Sequence, residues 1–314
     1  MRRSPFSVSN GGDGHFVFSD GNNGQIGSSY SYSAFYREHC LYLPAMLGWF
    51  LFSSLLSTYN KLVFGSDHMS FPCPLLLTSM HFGTQWIVSH VVCKMFPITF
   101  GSQRVDEMSW SEFLCISIPC GLVTSGDVGL SNLAVVSISI TFYTMVKAST
   151  PVFVLAWGYF FGIIEITWAL LGVVLVIAIG EYLTVAGEVN FVLKGFLLCL
   201  MASILSGARW TLVQMKIQRL EPPLKSTVAT MRILSPFMFL TMALVSMALE
   251  EPWNKLDGYI ESWKTVYLIL GLGFGGALLA IFMILCEFYL IIHSNAVVLM
   301  IGGVIKEILT IFIG

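Results

Sequence analysis

Long apolar runs follow one another along most of this 314-residue chain, beginning at Leu41. Each run is close to the ~20 residues that an α-helix needs to cross the hydrocarbon core of a bilayer. Because lipid cannot satisfy stray backbone N–H and C=O groups, such runs indicate helices, and they lack the period-two alternation of a membrane barrel. We predict nine spanning helices, at residues 41–64, 74–96, 113–134, 138–161, 167–185, 193–215, 227–249, 265–291 and 295–313.

The composition agrees with a multi-pass membrane protein and excludes other classes. Hydrophobic residues make up 56% of the chain and charged residues 11%, whereas soluble domains carry about 25% charged residues. These charges are too few to cover a soluble globule, and a net charge of −2 gives no basic surface for nucleic acid. The seven cysteines form no CxxC pair and have no histidines at zinc spacing, so neither a metal site nor a cofactor is expected.

The first 40 residues differ from the rest of the chain. Gly, Ser and Asn dominate residues 7–33 without an apolar period, which is typical of a disordered tail. No apolar segment of a secretory signal follows Arg2 and Arg3, so we expect the tail to stay in the cytosol.

The distribution of basic residues between short loops gives an orientation. Cytosolic loops of membrane proteins carry an excess of Lys and Arg. The more basic segments are the tail and the loops after the second and sixth runs, with Arg2, Arg3, Arg37, Lys94, Arg104, Lys216, Arg219 and Lys225. We therefore expect the N-terminus in the cytosol.

Three of the basic residues in the apolar runs, Lys147, Arg209 and Lys306, need an explanation, because an ionisable group at membrane depth costs about 2.5–3.5 kcal/mol on insertion scales. Lys147 in the fourth run and Lys306 in the ninth lie too deep to reach the interface easily, so both are expected to face a polar cavity. Their segments cross the membrane in opposite directions, as paired residues of inverted repeats do beside a central site. Arg209, near the end of the sixth run, either snorkels to the interface beside Trp210 or faces inward.

Other polar residues accompany these cations. Asp127, Ser131 and Asn132 cluster in the third run, and Asp127 shares a helix face with Ser131. This cluster either bonds to neighbouring helices or contacts a ligand. Tyr143 precedes Lys147 by four residues and lies on its face. The candidate partners of the lysines are Glu287, Glu307 and Gln214.

Five motifs in the same order resemble the triose-phosphate translocator family of the drug/metabolite transporter superfamily. The longest is DVGLSNLAVVSISITFYTMVKASTP at residues 127–151. The others are YNK at 59–61, FPCPLLLTSMH at 71–81, SGARWTLVQ at 206–214 and GGVIKEILTI at 302–311. The Lys306-Glu307 pair and the RWT motif look most like the GDP-fucose-transporter-like branch, which groups with nucleotide-sugar transporters.

The resemblance implies ten helices in two inverted halves of five, which exchange a phosphorylated sugar across the membrane. It also implies that Lys147 binds phosphate, as the matching lysine does in plastid members. Where those members carry a Lys-Arg pair, this chain carries Lys306-Glu307, which removes a bidentate phosphate ligand and adds an anion. A simple triose phosphate is therefore disfavoured, and a nucleotide sugar or another phosphate ester is favoured, with Arg209 as the second cation.

We accordingly expect an all-α, polytopic membrane helix bundle with the 5+5 inverted-repeat transporter fold. Its first half would cover about residues 41–185 and its second half about 193–314. The sequence stops within the ninth run, so we expect the tenth helix to be missing and the activity of this chain to be weak or absent.

The function we expect is that of a secondary antiporter of a nucleotide sugar or related phosphorylated sugar in the Golgi or ER membrane. The residues expected to bind phosphate are Lys147, Lys306 and Arg209, and those expected to orient the sugar or base are Tyr143, Asp127, Ser131 and Asn132. The alternatives are a non-transporting regulatory or receptor-like member of the fold, and an integral membrane transferase. Substrate and membrane lipid are the expected partners, and a homodimer is compatible with the sequence.

Overall fold

The predicted apolar runs form long helices from Tyr42 onward. The structure, a computed structural model, describes residues 6–11, 15–20, 30–31, 42–65, 69–100, 103–165, 167–187, 191–218, 220, 224, 226–257, 259–260, 262–293, 299, 302–303 and 305–306. The helices are α1 (Tyr42–Phe64), α2 (Pro74–Met95), α3 (Gln103–Asp106), α4 (Trp110–Ser137), α5 (Ile140–Lys147), α6 (Thr150–Phe160), α7 (Trp168–Gly187), α8 (Leu193–Gln218), α9 (Thr227–Leu249), α10 (Pro252–Asp257) and α11 (Trp263–His293).

The lengths and compositions of these helices confirm an all-α membrane bundle. Within the described residues, four helices are long and apolar enough to cross a bilayer, at Trp110–Ser137, Leu193–Ile217, Thr227–Leu249 and Trp263–His293. The helices α1, α2 and α7 coincide with three further predicted runs. In the ninth run the described residues, all helical, are Leu299, Gly302, Gly303, Ile305 and Lys306. The count of nine spanning helices therefore stays a prediction.

The distribution of apolar and charged side chains is the reverse of that in a soluble protein. On α7, Leu175, Val176 and Leu183 are each more than 60% exposed. In the interior, by contrast, the carboxylates of Asp127 and Glu287 are buried. Because ionised groups in membrane proteins face the bundle interior while apolar side chains face lipid, this arrangement fits a bilayer and not water.

The fourth predicted run, 138–161, is divided into two helices and not one. α5 ends at Lys147, and α6 begins at Thr150 with Pro151 in its first turn. Proline has no N–H to continue the preceding helix, but its fixed φ suits the start of a new one. The Thr150 hydroxyl donates to the Lys147 carbonyl at 2.7 Å. The break therefore places Lys147 at a helix end and leaves its last carbonyl satisfied.

Helix α4 lies at the centre of the unit Gly48–Gly314, where it packs on α8 and α9. Small residues allow these close approaches. A Cβ added at Gly126 would lie 2.7 Å from Leu205 on α8, and one added at Gly207 would lie 2.6 Å from the Phe153 backbone on α6. Glycine at such contacts lets helix backbones approach closely in membranes. This packing brings residues of α4, α5 and α8 into one region.

A second long-range contact joins the end of α9 to the beginning of α2. The buried carboxylate of Glu250 accepts from the backbone N–H of Leu75 at 2.7 Å and from that of Leu76 at 2.9 Å. The Ser246 hydroxyl donates to the same carboxylate at 2.7 Å. The first N–H groups of a helix have no intrahelical partner and favour negative charge, so Glu250 caps α2 from a distant part of the chain.

The unit Met1–Leu47 contains three short strands. They are β1 (Phe6–Gly11), β2 (His15–Asp20) and β3 (Tyr30–Ser31). β1 pairs antiparallel with β2, and β2 with β3. The composition of the tail did not indicate these strands. A sheet this small is marginally stable without a hydrophobic partner, and disorder of the tail stays a prediction.

Candidate functional site

Four ionised side chains form a continuous line in the interior. Lys147 Nζ donates to Asp127 Oδ1 at 2.6 Å, and Arg209 Nε donates to Asp127 Oδ2 at 3.0 Å. Arg209 Nη1 then donates to Glu287 Oε1. We call Lys147, Asp127, Arg209 and Glu287 the charge cluster. Its side chains are between 2% and 13% exposed, so the pairs lie in surroundings of low dielectric, where they interact strongly.

The cluster draws on four helices. Asp127 comes from α4 and Lys147 from the end of α5, while Arg209 lies within α8 and Glu287 within α11. The two carboxylates are distant in the chain from the arginine, by 82 positions for Asp127 and 78 for Glu287. The cluster therefore exists only when these four helices are packed together.

The structure decides between the two interpretations of Arg209. Its guanidinium lies between two carboxylates and is buried, so it faces inward and does not snorkel to the interface. The neighbouring Trp210 points the same way, since its Nε1 donates to Glu287 Oε1 at 3.1 Å. The indole also lies near the arginine, with Arg209 Cζ 5.6 Å from the ring centroid. Among the residues that the structure describes, Glu287 thus pairs with Arg209 and not with a lysine.

Lys306 is separated from the charge cluster by two tryptophans. Its Nζ is 3.4 Å from Ser53 Oγ on α1 and 5.8 Å from the centroid of the Trp49 ring. Trp49 in turn meets Trp210 edge to face, with centroids 6.0 Å apart. The two rings thus form a chain of contacts from Lys306 to Arg209. Its predicted neighbour Glu307 lies outside the described residues.

The remaining predicted site residues, Ser131, Asn132 and Tyr143, make different contacts. Ser131 Oγ donates to Asp127 Oδ1 at 3.4 Å. Asn132 Nδ2 donates to Thr78 Oγ1 on α2 at 2.9 Å. Tyr143, half-buried on α5, packs against the apolar cluster that includes Val146 and Cys199. Ser131 thus supports the charge cluster, whereas Asn132 and Tyr143 contact neighbouring helices.

Several site residues were not found by sequence reasoning. Trp49, Ser53 and Thr78 carry no charge and lie in runs whose composition offers no signal for them. Trp210 was noted only as an interfacial neighbour of Arg209. In the structure Asp127 is the shared counter-ion of Lys147 and Arg209, and its role in orienting the sugar or base stays a prediction.

Comparison with known proteins gives consistent matches over most of the chain. The Triose-phosphate Transporter family matches residues 41–313. A protein of Arabidopsis thaliana named "Probable sugar phosphate/phosphate translocator" is 35% identical over 274 residues, covering 85% of this chain and 64% of that protein. A second Arabidopsis protein of the same description is 26% identical over 279 residues, covering 88% of this chain and 79% of that protein.

A yeast protein is similar over a comparable share of the chain. It is a Saccharomyces cerevisiae protein named "Putative nucleotide-sugar transporter", and it is 26% identical over 343 aligned positions. The alignment covers 87% of this chain and 77% of the yeast protein. Against the first plant relative, this chain spans less than two thirds of the relative's length.

Proposed function

Because this chain belongs to the Triose-phosphate Transporter family, we propose that it is a secondary antiporter of a nucleotide sugar or a related phosphorylated sugar. The relatives described above are named as sugar phosphate/phosphate translocators or as a nucleotide-sugar transporter. Since these names describe transporters and not enzymes, the transferase alternative has no support from them.

The observation that carries the proposal is a pair of largely buried cations in an apolar interior, with a third cation linked to them through two aromatic rings. Lys147 and Arg209 share Asp127 as a counter-ion, and Lys306 approaches through Trp49 and Trp210. Cations are rare at membrane depth and generally mark ion or substrate pathways. A phosphoryl group offers several charged oxygens as hydrogen-bond acceptors, so this set of donors suits a phosphorylated solute better than a neutral one.

We assign phosphate binding to Lys147, Lys306 and Arg209. The family resemblance places a second basic residue where this chain has Glu307, and Arg209 supplies that second basic group from α8. The sugar or base would be oriented by the oxygen and nitrogen atoms of Asp127, Ser131, Asn132 and Tyr143. No metal or covalent chemistry is needed for this function.

The packing of the helices supports two inverted halves that move against each other. If the half at 41–185 is inverted onto the half at 193–314, α1 corresponds to α8, α2 to α9 and α4 to α11. The helix α2 packs on its own counterpart, α9. The contact of α4 with α9 has the equivalent contact of α11 with α2, as expected for two inverted halves. Rocking of inverted halves around a central site gives alternating access.

The proposed location is the Golgi or ER membrane, with the N-terminus in the cytosol. The bias of basic residues between loops supports this orientation. The organelle follows from the class of solute, because nucleotide sugars are consumed in the lumen of these compartments and require a carrier through the membrane.

The experiment is counterflow in proteoliposomes with a panel of nucleotide sugars and sugar phosphates. We expect the wild-type protein to exchange at least one of these solutes. Lys147→Met should abolish that exchange without loss of folded protein. The matched control is Lys194→Met, which removes an exposed lysine at the beginning of α8 and should change nothing. Flat uptake of every phosphorylated solute by the wild-type protein would refute the proposal.

The alternative is a non-transporting receptor-like or regulatory member of the fold. The pairing of Lys147 and Arg209 with carboxylates favours it, since both cations already have counter-ions. Such a protein would bind a phosphorylated solute and show no counterflow. Equilibrium binding on the same preparation separates the two functions.

A further inference from the structure

We infer that Asp127 and Glu287 are internal counter-anions that compete with the substrate's phosphoryl group for Lys147 and Arg209. We infer also that Arg209 holds the two halves of the unloaded carrier together. This inference rests on the proposed function, because it concerns the same cations.

The first argument is charge balance within the charge cluster. Its two cations face two carboxylates, and the donor atoms Lys147 Nζ and Arg209 Nε lie 2.6 Å and 3.0 Å from Asp127 oxygens. A phosphoryl group brought to Lys147 would meet the Asp127 carboxylate at a similar distance. Like charges repel strongly where the dielectric constant is low. Binding of the phosphoryl group therefore requires the carboxylate to leave the cation.

The second argument is the position of Arg209 between the halves. Its Nε bonds to Asp127 on α4, in the first half, and its Nη1 bonds to Glu287 on α11, in the second half. The rigid fork of a guanidinium can donate to two acceptors at once, which an ammonium on a flexible stem does less well. Trp210 fixes the second acceptor by donating to Glu287 at 3.1 Å. Arg209 itself lies on α8, in the second half, so its bond to Asp127 is the one that joins two helices that alternating access must move apart.

A consequence follows for coupling. A ligand shifts a conformational equilibrium only by its differential affinity for the two states. A phosphoryl group that takes the place of Asp127 on Arg209 breaks the connection between α4 and α11. The loaded carrier is then free to change its access, whereas the empty carrier is held. This gives exchange of one anion for another and suppresses return of the empty carrier.

The alternative is that the charge cluster only stabilises the fold. Replacing a whole buried ion pair with apolar residues is often neutral or stabilising, whereas removing one partner leaves an uncompensated buried charge and destabilises the fold. The two roles differ in their effect on anion binding. Removal of an internal competitor strengthens anion binding, whereas loss of a structural pair leaves it unchanged or weakens it.

The test measures the Kd of inorganic phosphate for the purified full chain in lipid nanodiscs. Asp127→Asn and Glu287→Gln each remove one negative charge at nearly constant shape. We expect each to lower the Kd about tenfold, the effect of losing one charge-assisted hydrogen bond to a competitor. The matched control, Asp106→Asn, removes the carboxylate of the 2.6 Å pair with Arg232, which lies outside the cluster. It should leave the Kd unchanged.

A second readout concerns the connection between the halves. Vesicles loaded with the exchanged solute should release it slowly when no solute is present outside. With Asp127→Asn, which weakens the bond between the halves, this one-way efflux should rise, while the Asp106→Asn control stays slow. An unchanged efflux with Asp127→Asn would overturn the role of Arg209 in holding the empty carrier.

Failure to fold is covered by a milder substitution. Glu287→Asp keeps the negative charge and withdraws it from Arg209 by one methylene group, so a smaller decrease in Kd is expected. An unchanged or raised Kd in the folded variants, or no phosphate binding in any of them, overturns the inference. If the wild-type protein shows no counterflow but the variants bind phosphate more tightly, the proposed function is refuted. The competition between the carboxylates and phosphate for the cations would still be supported.

Discussion

Lys147 combines two features that set its role. It is the last residue of α5, and its ammonium lies 2.6 Å from Asp127 in a site where its side chain is 12% exposed. The space around it therefore suits a compact ammonium group at one fixed point. A guanidinium is larger and planar and directs its hydrogen bonds differently.

At the scale of this residue we expect charge alone to be insufficient. Lys147→Arg should lower exchange about tenfold or more, equivalent to the loss of about 1.5–3 kcal/mol from one charge-assisted hydrogen bond. Initial counterflow rates measure the effect. The control is Lys194→Arg at the exposed beginning of α8, which should exchange at the wild-type rate. Normal exchange by Lys147→Arg would show that transport requires only a positive charge at this position, whatever its shape.

The sequence predicted which single residues belong to the charge cluster better than it predicted how they pair. Lys147, Arg209 and Asp127 stood out because ionisable groups are rare in apolar runs, and the structure brings them together. Their pairing could not be predicted, because it joins positions 20 and 82 apart in the chain. Glu287 was considered as a partner of the lysines, but it pairs with Arg209.

At the scale of elements, the break between α5 and α6 is the feature that hydropathy missed. Apolar runs measure the tendency to lie in lipid, and because α5 and α6 are both apolar, hydropathy does not mark the break at Ala148 and Ser149. The break depends on Pro151, which has no backbone N–H to bond to the carbonyl four residues earlier; this effect does not appear in a hydropathy profile. By contrast, α2 was predicted at 74–96 and observed at Pro74–Met95, because a proline marks each end, Pro74 in its first turn and Pro97 just after its last residue.

Restoring the missing N–H should join the two helices. Pro151→Ala supplies a donor that can bond to the Lys147 carbonyl four residues earlier, which would turn the lysine away from Asp127. We expect exchange to fall about tenfold or more, with no loss of thermal stability. Counterflow and thermal unfolding of the same sample measure both. Pro236→Ala, within α9, is the control and should keep exchange; equal exchange in both variants would contradict this role of the break.

The cap of α2 by Glu250 gives a prediction for stability and not for transport. Glu250→Gln replaces one carboxylate oxygen by an amide donor that faces the backbone N–H groups of Leu75 and Leu76. We expect the free energy of unfolding to fall by about 1–2 kcal/mol, seen as a lower Tm. The adjacent Glu251→Gln is the matched control, since Glu251 is exposed and bonds only locally to Asn254 among the contacts described here. A Tm that is the same in both variants would show that the cap adds no stability.

At the scale of the whole molecule, the all-α membrane bundle and the family were both predicted from the sequence, and both are confirmed. Continuous hydrophobicity and ordered motifs are enough for these conclusions. The GDP-fucose-like branch and the inverted repeat stay predictions. Each depends on small differences between similar helices, which one sequence carries only weakly.

Orientation in the membrane is a prediction for the molecule as a whole. With the N-terminus in the cytosol, a cysteine at Gln103 should react with a membrane-impermeant reagent added from the cytosolic side. A cysteine at Asp257 should react only after the membrane is permeabilised. Both positions are exposed and lie in short helices between longer ones. Reversed reactivity would place the N-terminus in the lumen and exchange the two sides of the carrier.

The cap formed by Glu250 also sets an order of events during biosynthesis. The carboxylate and the Leu75 amide it binds are separated by 175 positions, so the ribosome delivers α2 to the membrane long before α9 exists. Chains fold during synthesis with N-terminal parts first. Until Glu250 is translated, the leading end of α2 must therefore take its hydrogen bonds from interfacial water or lipid headgroups. The hydrogen bonding of the α2 N-terminus is thus completed only when the second half has been synthesised. In a nascent chain that stalls before Glu250, the first N–H groups of α2 would stay without this carboxylate and could be recognised by cellular quality control.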